Sequence, residues 1–445
     1  MALGPDQALR RAKDLAALRA QELLRLDEVR RYWTGRQALP VVIPAAAAPE
    51  VRVLARMARV NVVGIVVESL AQSLAVEGFH AKLEERDADV WGIWQANRMD
   101  ARQSVIHRAV LAYGVAYGVV TPGDPVPVVR GLSPRKITAR YPGDSDWPED
   151  ALELRPDGTW RLYEPELVHT ITGSGGEPKL WVSSAAHGAG HVPVVRYLEV
   201  QDPDWDDEPA DMSQAGQYAL NRQVIGQVAP LMTVQDQVDL ITFNLQVAQH
   251  YAAFRQRFVI GWAAPDEATR VKMSASTIWT FEDGPDQVKV GDLESTSMDG
   301  YLSSRESSFK QAAALSQTPA HELIGDLVNL SAEALAAAEA GRDRKVADRQ
   351  TSIGESHEQL LGLAGRLAGV DVPRDAQVVW RDTSARSFAA TVDGLGKLAT
   401  LLGIPVEELW ARIPGVSQQD VDRWRAMRAG RAGQSTPPAA GTAAA

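Results

Sequence analysis

The chain has 445 residues, 45% of them hydrophobic and 23% charged, enough to bury a sizeable core and too apolar for disorder to dominate. It contains no cysteine, which removes disulfides, cysteine–zinc sites and thiol catalysis. A net charge of -11 argues against a static duplex binder that neutralises phosphates, and is compatible with a surface that DNA slides past without sticking.

The first residues, Met1 to Lys13, are polar and carry no secretory pattern. The most apolar window, Val60 to Phe79, is broken by Asn61, Glu68, Gln72, Ser73 and Glu77, whereas a membrane span needs about 20 mostly apolar residues. The expectation is a soluble intracellular product with no membrane partner. Asp6 to Arg36 reads as an amphipathic helix, with apolar residues at Leu9, Ala12, Leu15 or Ala16, Leu23 and Leu26 and a stop near Gly35. Pro40, Pro44 and Pro49 mark an extended connection. Val51 to Ala75 reads as one buried helix closed by Gly78, and Asp87 to Ala96 as a shorter one. Asp100 is the expected N-cap of a helix through His107 to Tyr113 that Gly114 releases.

From Ala116 to Val200 the period changes to that of strands. Tyr117–Val120, Val126–Val129, Trp160–Tyr163, Leu167–Thr172, Lys179–Val182 and Val192–Leu198 are short runs separated by Pro, Gly and Asp. They predict a mostly antiparallel sheet on the preceding helices, an α+β unit. The acidic stretch Asp202 to Glu208 is the expected linker. A helix with two apolar stripes follows, Leu231, Val234, Val238, Ile241, Leu245, Ala248 and Ala252 on one face and Leu240, Phe243, Val247, Tyr251 and Phe254 on another. Such a helix must be covered on two sides, by its own chain or by neighbouring copies.

Phe258 to Leu293 reads as a strand-rich insertion (Phe258–Trp262, Thr277–Phe281, Gln287–Val290), after which Tyr301 to Gln317 returns to helix. A punctuated loop from Thr318 to Asn329 leads to Ser331, a good N-cap for a helix uninterrupted by proline from Ala332 to about Leu367, on the order of 50 Å long. Its middle, Arg342 to Lys345 with Asp348 and Arg349, is read as a solvated face, with a basic ridge as the sharper alternative. Gln377–Trp380 reads as a strand returning to the sheet. Ser384–Leu402, Val406–Arg412 and Ser417–Ala429 read as short helices, and the Gly/Ala/Pro-rich tail from Gly430 as disordered.

Catalytic motifs fail on inspection. His321–Gly325 begins like a zinc-protease helix but has Gly325 where the second histidine must sit. Gly173–Lys179 lacks the Gly-Lys-Ser/Thr of a phosphate loop and reads as a hairpin turn. His187 and His191 lie close in a glycine loop but lack further ligands for a metal. The sequence therefore predicts no active site, no metal and no cofactor. The alternative kept open is an uncharacterised α+β enzyme.

The order of parts resembles the siphophage-type portal proteins of tailed bacteriophages, over about residues 20 to 430. The likeness is carried by Tyr32–Arg36, Asn61, Val66–Leu70, Leu74–Phe79, Trp94–Asp100, His107–Gly114, Leu132–Pro134, Gly190–Val195, Ser331–Leu335 and Trp380–Asp382, in that order. It implies a homo-oligomeric ring, a dodecamer, around a DNA channel, with another structural ring of the head–tail connector as the alternative. Residues 1–215 would be a wing, 216–255 a first stem helix, 256–298 a small α/β clip and 299–317 a second stem helix. Residues 318–330 would be a tunnel loop, 331–383 the long helix with a returning wing strand, 384–430 a helical crown and 431–445 a disordered tail. Met212–Gly216 departs from the Gly-Arg-Ser turn that relatives often carry before the stem. The resemblance further implies double-stranded DNA, the terminase large subunit, the head–tail adaptor, and major capsid and scaffolding proteins as partners. It implies assembly in the host cytoplasm and residence at the portal vertex of the virion. On that basis Thr318, His321, Glu322, Asp326 and Asn329 are DNA-facing candidates of the loop, Arg305 and Lys310 those of the stem, and Trp262, Glu267, Arg270 and Lys272 candidates for clip partners.

Overall fold

The computed structural model describes residues 3–80, 84–142, 145–173, 181–199, 225–253, 257–260, 289–292, 297–325, 332–381, 388–413, 415–416 and 418–434. The Asp202–Glu208 linker, the Gly173–Lys179 turn beyond Gly173, Thr277–Phe281, Ser331 and residues 435–445 of the expected tail lie outside them, while residues 430–434 of that tail continue the last helix and are not disordered. The fold mixes helix and strand, and the chain divides into two units. One comprises Met1–Arg30, Val67–Ala229 and Asn329–Ala445; the other comprises Arg31–Val66 and Pro230–Val328.

In the first unit, helix α1 (Pro5–Trp33) lays Ala8, Ala12 and Leu15 against Leu152, Leu162 and Ile171 of a five-stranded sheet. That sheet is an antiparallel meander of β4 (Ile137–Arg140), β5 (Asp150–Leu154), β6 (Trp160–Tyr163), β7 (Leu167–Thr172) and β8 (Trp181–Ala186). A three-stranded sheet has β2 (Val115–Thr121) between β3 (Val128–Leu132) and β9 (Val194–Leu198). Tyr117, Val119 and Val194 from it share one core with Ile137, Ala151 and Tyr163 of the meander.

Strands β4 and β5 have no counterpart in the expected pattern, and the expected single sheet is two. Asp150 and Glu153 disguise β5 as a polar connection. Both are buried because arginines pair with them: Arg11 and Arg140 reach Asp150 at 3.1 and 2.7 Å, and Arg130 grips Glu153 with two bonds of 2.7 and 2.9 Å.

The helix expected over Val51–Ala75 is two, α2 (Pro49–Met57) and α3 (Val62–Gln72). Asn61 interrupts it by capping α3, its Oδ1 accepting from Gly64 N–H at 2.9 Å. Gly78 sits in β1 (Val76–His80) beside a register shift and does not stop a helix. After α4 (Glu84–Ala96) comes α5 (Met99–Tyr113), which starts behind Arg98 in the left-handed region. Asp100 is therefore no N-cap; it accepts a 2.9 Å bond from Trp94 Nε1. Gly114 closes α5 at φ 85° as expected.

Helix α9 (Ala332–Ala368) runs 37 residues, close to the predicted span. It covers the open edge of β9. Ser352 Oγ donates to Leu198 O at 2.8 Å and Ser356 Oγ to Arg196 O at 3.0 Å. Four helical residues rise about 6 Å and two strand residues about 6.6 Å, so the two serines meet alternate carbonyls of an antiparallel neighbour. Gly118 permits the approach: a Cβ there would lie 2.6 Å from Leu360 Cδ1. Strand β12 (Gln377–Trp380) pairs with β1 in a separate two-stranded sheet, not with either larger one.

His357 of α9 anchors the seat. His107 Nδ1 lies 3.0 Å from Leu74 O, which can only accept, so that nitrogen carries the proton. His107 Nε2 then accepts from His357 Nε2–H at 2.9 Å, and His357 Nδ1 accepts from Tyr197 O–H at 3.0 Å. All three side chains are buried. Burial holds His107 down to about 4 and His357 well below the usual imidazole range, so the chain of bonds is neutral. The charged middle of α9 also differs from both readings. Lys345 and Arg349 turn inward to Gln227 and to fully buried Glu199, while Asp343, Arg344 and Asp348 are exposed.

For both histidines the native pKa is depressed, so their contribution is complete above the unfolded value near 6.5. It is lost as pH falls towards 4. His357→Phe should lose about 1–3 kcal/mol at pH 7.5 by stranding Tyr197 O–H and His107 Nε2. Its stability should fall less steeply than that of the parent between pH 6.5 and 5, as read by urea midpoints across that range.

Candidate functional site

The second unit is built on helix α6 (Met232–Ala253), followed by strands β10 (Arg257–Ile260) and β11 (Lys289–Asp292), helix α7 (Asp299–Ser316) and the short helix α8 (Ala320–Ile324). β10 and β11 pair antiparallel, from Arg257 opposite Asp292 to Ile260 opposite Lys289. Trp262, Glu267, Arg270 and Lys272 lie outside the described residues.

The first turns of α6 carry a polar clamp that sequence reasoning missed. Gln235 Oε1 accepts from Val62 and Val63 N–H at 3.0 and 3.3 Å, which are otherwise orphan donors at the start of α3. Asp239 accepts from Val60 N–H at 3.0 Å, Gln37 Nε2 at 2.7 Å and Gln235 Nε2 at 2.8 Å. Tyr32 O–H reaches Asp236 at 2.9 Å, and Asn61 Nδ2 donates to Trp33 O at 3.1 Å. Burial raises the Asp239 pKa, against the pull of these donors. The signal lay in Gln235 and Asp239, four apart and beside Val234 and Val238, where an apolar helix face carries two polar residues.

Helix α6 buries Val234, Val238 and Phe243, the last packed with Ala55 and Ala58 of the α2 region. From Asn244 onward no described residue of α6 is buried, and Tyr251 is exposed. α7 packs beside α6 through small residues; Ser308, Ala312, Ala313 and Ser316 are its buried positions, while Leu302 and Leu315 remain about half exposed at 45% and 53%.

The chain reverses after α7 by a Schellman-type closure. Gln317, at φ 54°, occupies the left-handed position, its N–H bonding Ala313 and Ala314 carbonyls, and Thr318 N–H reaches Ala313 O at 3.1 Å. Ser316 Oγ adds a 2.7 Å bond to Ala312 O. The expected loop thus holds α8, which starts behind Pro319 and ends at Gly325 with φ 75°. Thr318 is buried, its Oγ1 without a hydrogen-bond partner among the described residues. His321 and Glu322 are half-buried on α8, and Asp326 and Asn329 lie outside the described residues. On α7, Lys310 is exposed and paired with Glu306 at 2.7 Å, and Arg305 is half-exposed.

The two histidines of the glycine loop serve structure separately. His187 Nε2 donates to Glu164 O at 2.8 Å and its Nδ1 accepts from Ala189 N–H, while His191 stacks on Trp147 with ring centroids 4.5 Å apart. Among the described residues no helix is long and apolar enough to cross a membrane.

A family model described as "Phage portal protein, SPP1 Gp6-like" matches residues 13–434. The chain belongs to this family of phage portal proteins. It is 26% identical to the portal protein of Mycobacterium phage D29 over 88% of its own length and 82% of that protein. To the portal protein of Mycobacterium phage L5 it is 25% identical, over 77% and 72%. Among solved structures it resembles a chain from "Virion of native gene transfer agent (GTA) particle", with a TM-score of 0.47 and 14% identity over 84% of this chain and 99% of that one. A chain from "Neck of native GTA particle computed with C12 symmetry" gives 0.44 and 13%, over 83% and 93%.

Asp239→Ala should strand Val60 N–H and Gln37 Nε2, and cost about 1–3 kcal/mol. Hydrogen exchange should show faster exchange at the amides of Val60, Val62 and Val63 with β4 to β8 unchanged.

Proposed function

We propose that copies of this chain close into a dodecameric ring at the portal vertex of a virion, around a channel through which double-stranded DNA is packaged and ejected. The observation that carries this reading is the one-sided cover of the α6/α7 pair. Tyr251, Leu302 and Leu315 stay exposed on two helices that pack on each other through alanine and serine. A second pair from a neighbouring copy would cover such a face without a new fold. In this reading α6 and α7 are the stem and residues 256–298 the clip that meets the terminase large subunit and later the head–tail adaptor. Residues 1–215 and 331–383 form the wing, and 384–430 a crown that holds α10 (Phe388–Leu401), α11 (Val406–Leu409) and all but the last turn of α12 (Gln418–Gln434). Major capsid and scaffolding proteins would surround the ring, and assembly would take place in the host cytoplasm.

Residues 318–330 act as the tunnel loop. The closure at Gln317 and the buried Thr318 give this segment a fixed root, while His321, Glu322, Asp326 and Asn329 supply short polar or acidic groups. Such groups touch a passing phosphate backbone without the accumulated cation contacts that would stall it. Lys310, neutralised by Glu306, and Arg305 contribute weak contacts at most on the stem. The trace is one of scaffolding and passage, with no chemical step assigned to the chain.

Asn329→Ala and Glu322→Lys should leave ring mass and ring images unchanged while altering the amount of DNA packaged or retained per particle. Loss of the ring in both variants would remove the tunnel-loop assignment; a compact single particle without a central hole under all assembly conditions would remove the ring itself.

A further inference from the structure

Helix α2 and the turn that follows it carry two exposed stripes. Arg52, Arg56 and Arg59 follow one another at steps of four and three, and Val53 and Met57, 44% and 63% exposed, stand beside them. The arginines rim a groove of about 590 Å³ whose floor is Leu39, Val41, Ile43 and Ala55. Among the described residues no carboxylate lines it. In a chain of net charge -11, three arginines over an apolar floor are an unusual local balance. The floor separates this groove from a phosphate-tracking surface: a duplex backbone stays hydrated and gains nothing from leucine, valine and isoleucine. A peptide with carboxylates around an apolar anchor uses both features.

The chain itself carries such a peptide. Residues 202–211 read Asp-Pro-Asp-Trp-Asp-Asp-Glu-Pro-Ala-Asp, six acids about a single tryptophan with no lysine or arginine among them. Trp205 is a large anchor of the kind that dominates interface energetics, and Asp204, Asp206, Asp207 and Glu208 place carboxylates on both sides of it. We propose that the groove of α2 receives the acidic Trp205 segment of a second copy of this chain, so that each copy is strapped to its neighbour. This inference rests on the ring reading and gives it a specific copy-to-copy contact outside the helix pair. Guanidinium–carboxylate pairs at the rim would fix the register of the segment while the floor shelters the indole.

The absence of native cysteine makes the test direct. Ala38, exposed at the groove, and Ala210, in the segment, are changed singly to cysteine in two differently tagged copies that are produced together and mildly oxidised. A covalent heterodimer is expected from the A38C and A210C mixture, and from neither alone. R52E/R56E/R59E in the A38C copy should lower its yield by at least about tenfold, since like charges then face each other. Adding D204K/D206K/D207K to the A210C copy should restore it, which also shows that the reversed groove still folds. A ring with no heterodimer, or a yield indifferent to the arginines, overturns the strap and leaves the ring reading standing. An A38C/A210C chain that crosslinks only within itself overturns it as well. A short DNA duplex that binds the full chain through these arginines, while no heterodimer forms, assigns the groove to nucleic acid and also overturns the proposal. Absence of any ring in the same samples, seen by native mass measurement, overturns the ring reading and the strap with it.

Discussion

The seating of α9 against β9 is the constraint on which the first unit depends. β9 is an edge strand whose free carbonyls would otherwise stay unpaired or recruit another strand. The match between helical rise and strand rise lets Ser352 and Ser356 satisfy two of them, and Gly118 removes the side chain that would hold the helix off. The neutral bond chain from Tyr197 through His357 and His107 to Leu74 O then fixes the helix's rotation, because each nitrogen has only one compatible partner. Trp94 and Trp380 pack edge-on or tilted about His357, so polar pairing and aromatic contact select the same seat.

The second unit uses a different economy of contact. Its clamp at Gln235 and Asp239 satisfies backbone donors at the start of α3, joining the extended segment after α1 to the first turns of α6. Beyond Phe243 the cover thins, and the buried positions of α7 are alanine and serine. Small residues let two helices approach closely but bury little apolar surface, so within one chain this pair draws modest stability from its own contact. That is the arrangement expected of a part finished by its neighbours. An apolar groove lies beneath Arg52, Arg56 and Arg59 on the same unit.

Charge explains much of what the residue pattern concealed. Asp150 and Glu153 made a central strand read as a connection, because their partners Arg11, Arg140 and Arg130 come from segments 10 to 139 positions away. Lys345 and Arg349 looked like a solvated or DNA-facing ridge for the same reason: Glu199, which draws them inward, lies about one hundred and fifty positions earlier. Asp100 satisfied every local rule for a cap, yet the indole of Trp94 claimed it once Arg98 had taken the turn.

Periodicity alone determined the elements whose stability is written in neighbouring residues. These are the long helix from Ala332, the paired helices around residues 232–253 and 299–316, the Gly114 stop, and most of the strands between 115 and 198. Only tertiary structure decided which polar residues are buried, where β12 pairs, and that the run after Val51 breaks at Asn61. Those outcomes turn on desolvation offset by distant partners, and a partner's position in space is not encoded in the spacing of the residues beside it.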